Sequence, residues 1–208
     1  MRRAALVVCL VASFFSIAPP LGAQAKGAER LMKQLARSRD AGDRAEAAWD
    51  LGRMGATEAI PLLVDALQDE GDSVRANAAA ALWKMADSAR SAEPALRAAL
   101  RDPYPGVVAN AAGALRKLGV PFDELAPAYR GLLAAESCRH RNQGVQGLLG
   151  RAPPAELFTT AFQCAESDDL DDWSDALKHL RRIVEDEDPA LAPFILDALR
   201  GAPEHSAS

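Results

Sequence analysis

The residues of this 208-residue chain that could do chemistry are few: three histidines, three cysteines and one dense run of aspartates. His140, His179 and His205 are too scattered to form a local ligand set. Cys138-Arg139-His140 could supply half of a metal site, with Cys164 as a further ligand, but the spacing matches no standard zinc pattern. Asp168, Asp169, Asp171, Asp172 and Asp175 could attract calcium, yet they lack the glycine turn and terminal glutamate of an EF-hand loop. Carboxylates at the start of a helix, where they suit its dipole, account for the run more simply. No Gly-x-Ser-x-Gly, Walker or His-Glu-x-x-His pattern occurs. The expectation is a protein with no catalytic residues, no metal and no cofactor.

Charge and targeting signals narrow the setting. Arg2 and Arg3 precede a short apolar run, Ala4 to Ala18, which Pro19 and Pro20 end. Ala23-Gln24-Ala25 then supplies the small-x-small pattern that signal peptidase accepts. The run is short for a bilayer span, which needs about 20 residues. Cys9 follows Val8, not the small residue that lipoprotein cleavage needs. Residues 1–25 therefore read as a signal peptide, with a mature chain beginning at Lys26 in the periplasm or outside the cell. Removing them takes away two arginines and no acid, so the mature chain is more acidic than the −5 of the whole. That balance argues against nucleic acid and anionic membranes as partners. The mature part has no apolar run long enough to be an integral membrane segment.

The elements that would position a site repeat themselves. Residues 44–55 read RAEAAWDLGRMG, 75–86 read RANAAAALWKMA and 108–119 read VANAAGALRKLG. On a helical wheel, Leu82 has Ala78, Ala79 and Met85 within about 60° of it, while Asn77, Ala80 and Lys84 fall on the far side. Leu51 with Met54, and Leu115 with Leu118, take the same positions. Each copy is an amphipathic helix with a mostly alanine stripe, and small side chains let helix axes approach closely. Between the copies lies a second element carrying Pro61, Pro94 and Pro127, with Pro193 two steps further on and Thr160 in the intervening place. Proline costs little in the first turn of a helix. The unit is a proline-opened helix, a turn and an alanine-striped helix, closed by Gly55 or Gly119, with a period near 33.

This pattern predicts helix pairs at 28–38 and 43–54, 58–69 and 73–86, 91–101 and 105–118, 122–135 and 139–149, 154–166 and 170–185, with a last helix at 189–200. The solenoid spans 26–201, and 202–208 is a tail. From Asp72 to Asp102 the residues resemble HEAT repeats of the short subclass first noted in phycobilisome bilin lyases. The resemblance covers about 43–135 well and 27–42 and 136–200 more loosely. Val108 stands where the repeat's arginine usually falls. The resemblance implies an all-α fold, a right-handed α-solenoid of about five to six antiparallel helix pairs. Most proteins with this repeat are scaffolds, so the implied function is to hold a partner protein of unknown identity in the cell envelope. The alternative is a lyase-like enzyme or accessory acting on a bound small molecule.

Two site expectations follow. Cys138 begins one predicted helix and Cys164 ends the next, so antiparallel packing brings them together. Once Cys9 is removed they are the only cysteines, in a compartment that tolerates disulfides, and a bridge is expected between them. The partner-binding surface is expected on the exposed side of the alanine-striped helices, the concave side in solenoids of this resemblance. There Trp49 lies nearly opposite the buried leucine position and Trp83 lies on the flank. Arg53, Lys84 and Lys117 form a basic column with Arg116 beside it, and Asn77 and Asn110 share a polar position. Aromatic and arginine anchors are what protein interfaces favour.

Overall fold

The computed structural model describes residues 21–165 and 170–187. Among them are ten α-helices and no strand. In chain order they are α1 (Leu21–Arg37), α2 (Ala41–Met54), α3 (Ile60–Ala66), α4 (Asp72–Lys84), α5 (Glu93–Ala99), α6 (Pro105–Lys117), α7 (Phe122–Leu133), α8 (Cys138–Leu148), α9 (Pro154–Ala165) and α10 (Leu170–Arg182). A π-helical turn, Ile183–Glu187, follows α10. Consecutive helices pack as pairs, α1 with α2 through α9 with α10, and α2, α4 and α6 stack directly on one another. The result is an α-solenoid. Most of the expected signal peptide, the helix at 189–200, the tail and His205 lie outside the described residues, as do Asp168 and Asp169. Helix α1 opens at Leu21 and runs through the expected Ala25–Lys26 junction.

Alanine makes the stacking possible. Leu51, Leu82 and Leu115 are fully buried, and so are Ala47, Ala48, Ala78, Ala79, Ala111 and Ala112. Helix α4 lies between α2 and α6, so both its flanks are covered, and Ala80, placed by the wheel on the far side, is buried too. Helices α2 and α4 approach closely at Gly52, where a Cβ would come within 2.6 Å of the Ala81 Cα. A larger side chain on this seam would push the axes apart.

The ends of the helices follow from local chemistry. Gly55 and Gly119 take φ of 66° and 88°, the left-handed geometry that a residue without Cβ adopts freely. Pro61 and Pro94 lie in the first turns of α3 and α5, each entered through a 3₁₀ turn, Thr57–Ala59 and Arg90–Ala92. Pro127 departs from this pattern. Helix α7 begins at Phe122, just after Pro121, with Asp123 and Glu124 in its first turn, and Pro127 lies inside it. Two carboxylates at the N-terminal end of the dipole favour that earlier start.

The pairs are also pinned by charge. Arg44 Nε and Nη2 donate to the two carboxylate oxygens of Asp69, both at 2.8 Å. Arg75 grips Asp102 in the same two-pronged way, at 2.7 and 3.0 Å. The remaining Nη1 of each arginine reaches back to main-chain carbonyls, Ser38 and Arg39 for Arg44, Asp69 and Glu70 for Arg75. Each fork thus ties the start of an alanine-striped helix to the loop before it and to the equivalent loop before the next striped helix.

Candidate functional site

Several residues expected on the binding face prove to be part of the scaffold. Asn77 Nδ2 donates to the Ala45 carbonyl at 2.9 Å, and Asn110 Nδ2 donates to the Ala76 carbonyl at 3.0 Å. Both are half-buried rungs between successive striped helices, spanning α4 to α2 and α6 to α4. Trp83 is half-buried as well: its indole lies over Gly113, where a Cβ would come within 3.2 Å of the ring. Its Nε1 is buried with no hydrogen-bond partner. Large opposite small across one seam is core packing, so Trp83 is a packing residue and not a free anchor.

Trp49 behaves differently. At 40% exposure, it and Met54 are the two large apolar side chains that stand exposed among the described residues. Lys84 Nζ sits 3.8 Å above the Trp49 ring centroid, a cation–π pair that joins α2 to α4 across the seam. Arg53, in the last turn of α2, turns to Asp50 at 3.4 Å. The expected basic column is therefore partly engaged: Arg53 with a carboxylate, Lys84 with an aromatic face. Arg116 and Lys117 end α6 and are exposed. Arg116 also lines a cavity of about 440 Å³, together with Arg151 and Arg182.

Residues 28–116 match the family described as HEAT repeats. The matched stretch is less than half of the chain. The complex of CpcE and CpcF of phycocyanin lyase from Nostoc sp. PCC7120 is a similar solved structure, 23% identical with a TM-score of 0.51, covering 91% of this chain and 74% of that one. An engineered protein is 22% identical with a TM-score of 0.45, covering 84% and 85% of the two chains. These likenesses concern the fold. No curated protein matches the chain.

Beyond the matched HEAT stretch the register of the repeat continues in the arginines. Arg141 stands in the place of Arg44 and Arg75, and its Nη1 donates to the Ala135 carbonyl at 3.2 Å as theirs do to the preceding loop. Its other two nitrogens meet sulfur: Nη2 donates to Cys138 Sγ at 2.8 Å and Nε to Cys164 Sγ at 3.3 Å. The antiparallel packing brings the two cysteines together as expected, but the expected bridge is not formed. Both are free, Cys164 buried and Cys138 half-buried, with the guanidinium held against both sulfurs. Burial pushes the Cys164 thiol up to about 11, and the neighbouring Cys138 adds to that while Arg141 opposes it. His140, the third member of the Cys138 segment, packs edge-on against Tyr104 at 5.8 Å between ring centroids. No cluster of three metal-ligating side chains occurs among the described residues.

The repeat's arginine has a place in the sequence pattern, but its role as a fork does not show there. Arg44, Arg75 and Arg141 fall at the same place in their repeats, and that recurrence was the available signal. Their acids stand 25 and 27 positions further on, in loops whose spacing carries no pattern of its own.

Proposed function

We propose that this chain is an exported, non-enzymatic scaffold that holds a partner protein in the cell envelope through the open face of its striped helices. The supporting observation is the Trp49–Lys84 pair. An indole left 40% exposed contributes less to the core than a buried one would, and a lysine laid across it fixes its orientation before a partner arrives. The fold alone supplies no activity, because solenoids of this type host many functions. The lyase named in the similar structure gives this chain no reaction at 23% identity.

The test compares the wild-type protein with Trp49→Ala/Lys84→Glu as bait in periplasmic extract and culture medium of the native host. A partner retained by the wild type and lost by the variant, at unchanged helicity and melting temperature, is the expected result. Equal retention by both would remove this face from the binding site. Intact mass of the protein from the same host checks export: a chain beginning at Lys26 is expected, and retained Met1 would overturn it.

A further inference from the structure

The cavity at the end of α6 gathers three guanidiniums in an acidic protein. Arg116 comes from the last turn of α6, Arg151 follows α8 directly after Gly150, and Arg182 ends α10. These are the second helices of three successive pairs, so the solenoid's own translation brings the arginines to one place. Gln146 adds a neutral polar group, and Phe122 gives one wall an aromatic face. No carboxylate lines the cavity among the described residues. Asp186 lies 3.6 Å from Arg182 at the margin, in a pair exposed enough for water to screen it.

Arginine at a helix C-terminus has an ordinary purpose, since the last carbonyls carry a partial negative charge of roughly half a unit. One arginine per helix would satisfy that term and still leave positive charge over. One feature shows organisation beyond it. Arg151 is held 4.8 Å from the Phe122 ring centroid, which fixes the plane of its guanidinium at the cavity wall. Gly147, also in the cavity lining, lets α8 pack directly on the Tyr129 ring, where a Cβ would come within 2.2 Å of it. Tyr129 is buried and its hydroxyl has no hydrogen-bond partner; burial pushes that hydroxyl above the usual tyrosine range, against the opposing charge of Arg116.

We propose that this cavity binds a small phosphate monoester carrying an apolar or aromatic group. Three guanidinium forks offer more donors than the two oxygens of a carboxylate accept, and a phosphate monoester has three terminal oxygens and close to two charges to meet them. The volume of about 440 Å³ suits a small molecule and not a polymer. Phe122 and Leu149 provide the apolar wall against which its organic part would rest. The site is separate from Trp49 and Lys84 and stands or falls independently of the scaffold reading.

Calorimetry of the full chain at low ionic strength tests it, with phenyl phosphate, inorganic phosphate and benzoate as probes. Phenyl phosphate should bind more tightly than either of the others. Arg116→Gln and Arg151→Gln should each weaken it at least about tenfold, while Lys117→Gln, which removes an exposed cation next to Arg116 but outside the cavity, should leave it unchanged. Circular dichroism of the variants checks that they fold. No binding at millimolar phenyl phosphate would overturn the proposal. So would equal losses in the Lys117 and Arg116 variants, which would show diffuse charge attraction. Tighter binding of benzoate would refute the phosphate assignment.

Discussion

Arg141, which holds the place in the repeat of Arg44 and Arg75, meets Cys164 at 3.3 Å, nitrogen to sulfur. The arginine is retained, and among the described residues its Nε and Nη2 meet two thiols where each of the other two arginines meets one carboxylate. A neutral thiol accepts a hydrogen bond weakly and carries no charge to balance a guanidinium. This third arginine, held against sulfur, should therefore contribute less than the two forks before it.

The free thiols should differ in reactivity. Cys164 is buried with its thiol pushed up to about 11, so little thiolate exists at pH 8. Alkylation of the native, unreduced protein at pH 8 should label Cys138 first and leave Cys164 silent. Unfolding should then expose two reactive thiols. Peptide mapping reads both results, and no thiol in the unfolded chain would show a bridge.

The same thiol gives an alkaline limit to stability. Its folded-state pKa is raised, so the unfolded chain ionises first, near the ordinary value of 9.0. The contribution is complete below that pH and is lost as pH rises toward about 11. Melting temperatures between pH 8 and 11 should fall more steeply for the wild type than for Cys164→Ala.

The forks give the acid limit. The hydrogen bond from Arg44 holds the Asp69 carboxyl below the usual carboxylate range, against the opposing effect of burial. At Asp102 burial is the largest influence and raises the value, yet Arg75 and the Tyr104 N–H together bring it down. Both folded values are depressed, so this stability is present above about pH 4 and is lost as pH falls through the folded values. Asp102→Asn should lower stability at pH 7 by about 2–4 kcal/mol, because it leaves a part-buried guanidinium without its charge partner. The difference from wild type should shrink toward pH 2 in thermal melts.

Much of this fold was legible because it is local. The alanine stripe, the glycine stops and the positions of the pairs are set by neighbours three or four residues away, and apart from the start of α1, at Leu21 and not 28, the helices fall within a few residues of expectation. The space that Trp83 fills belongs to Gly113, one repeat later, which a wheel of its own helix does not include. Asn77 and Asn110 were read as surface for the same reason: their acceptors lie on the preceding striped helix. Pro127 followed the spacing of the earlier prolines but not their local context, since Pro121 and the acids after it start the helix sooner. The arginine cavity needed three helix ends from three pairs, and only the superhelix brings them together.

The seam between α2 and α4 gives the sharpest packing test, through two glycines that differ only in surroundings. Gly52 lies inside α2, where a methyl group would meet the Ala81 Cα and Cβ at 2.6 Å. Backbone cannot rotate out of the way, so Gly52→Ala must separate the helices. Overpacking of this kind costs roughly 1–3 kcal/mol, which outweighs the gain of about 1 kcal/mol in helix propensity. Gly131 lies inside α7 with nothing within 4 Å of the added carbon and no positive φ to relieve. Gly131→Ala should stabilise by about 0.5–1 kcal/mol, chiefly by restricting the unfolded chain. Thermal melts followed by circular dichroism should move in opposite directions for the two variants. A Gly52→Ala protein as stable as wild type would show that the striped helices are not in backbone contact there, and the reason for the alanines would have to be sought elsewhere.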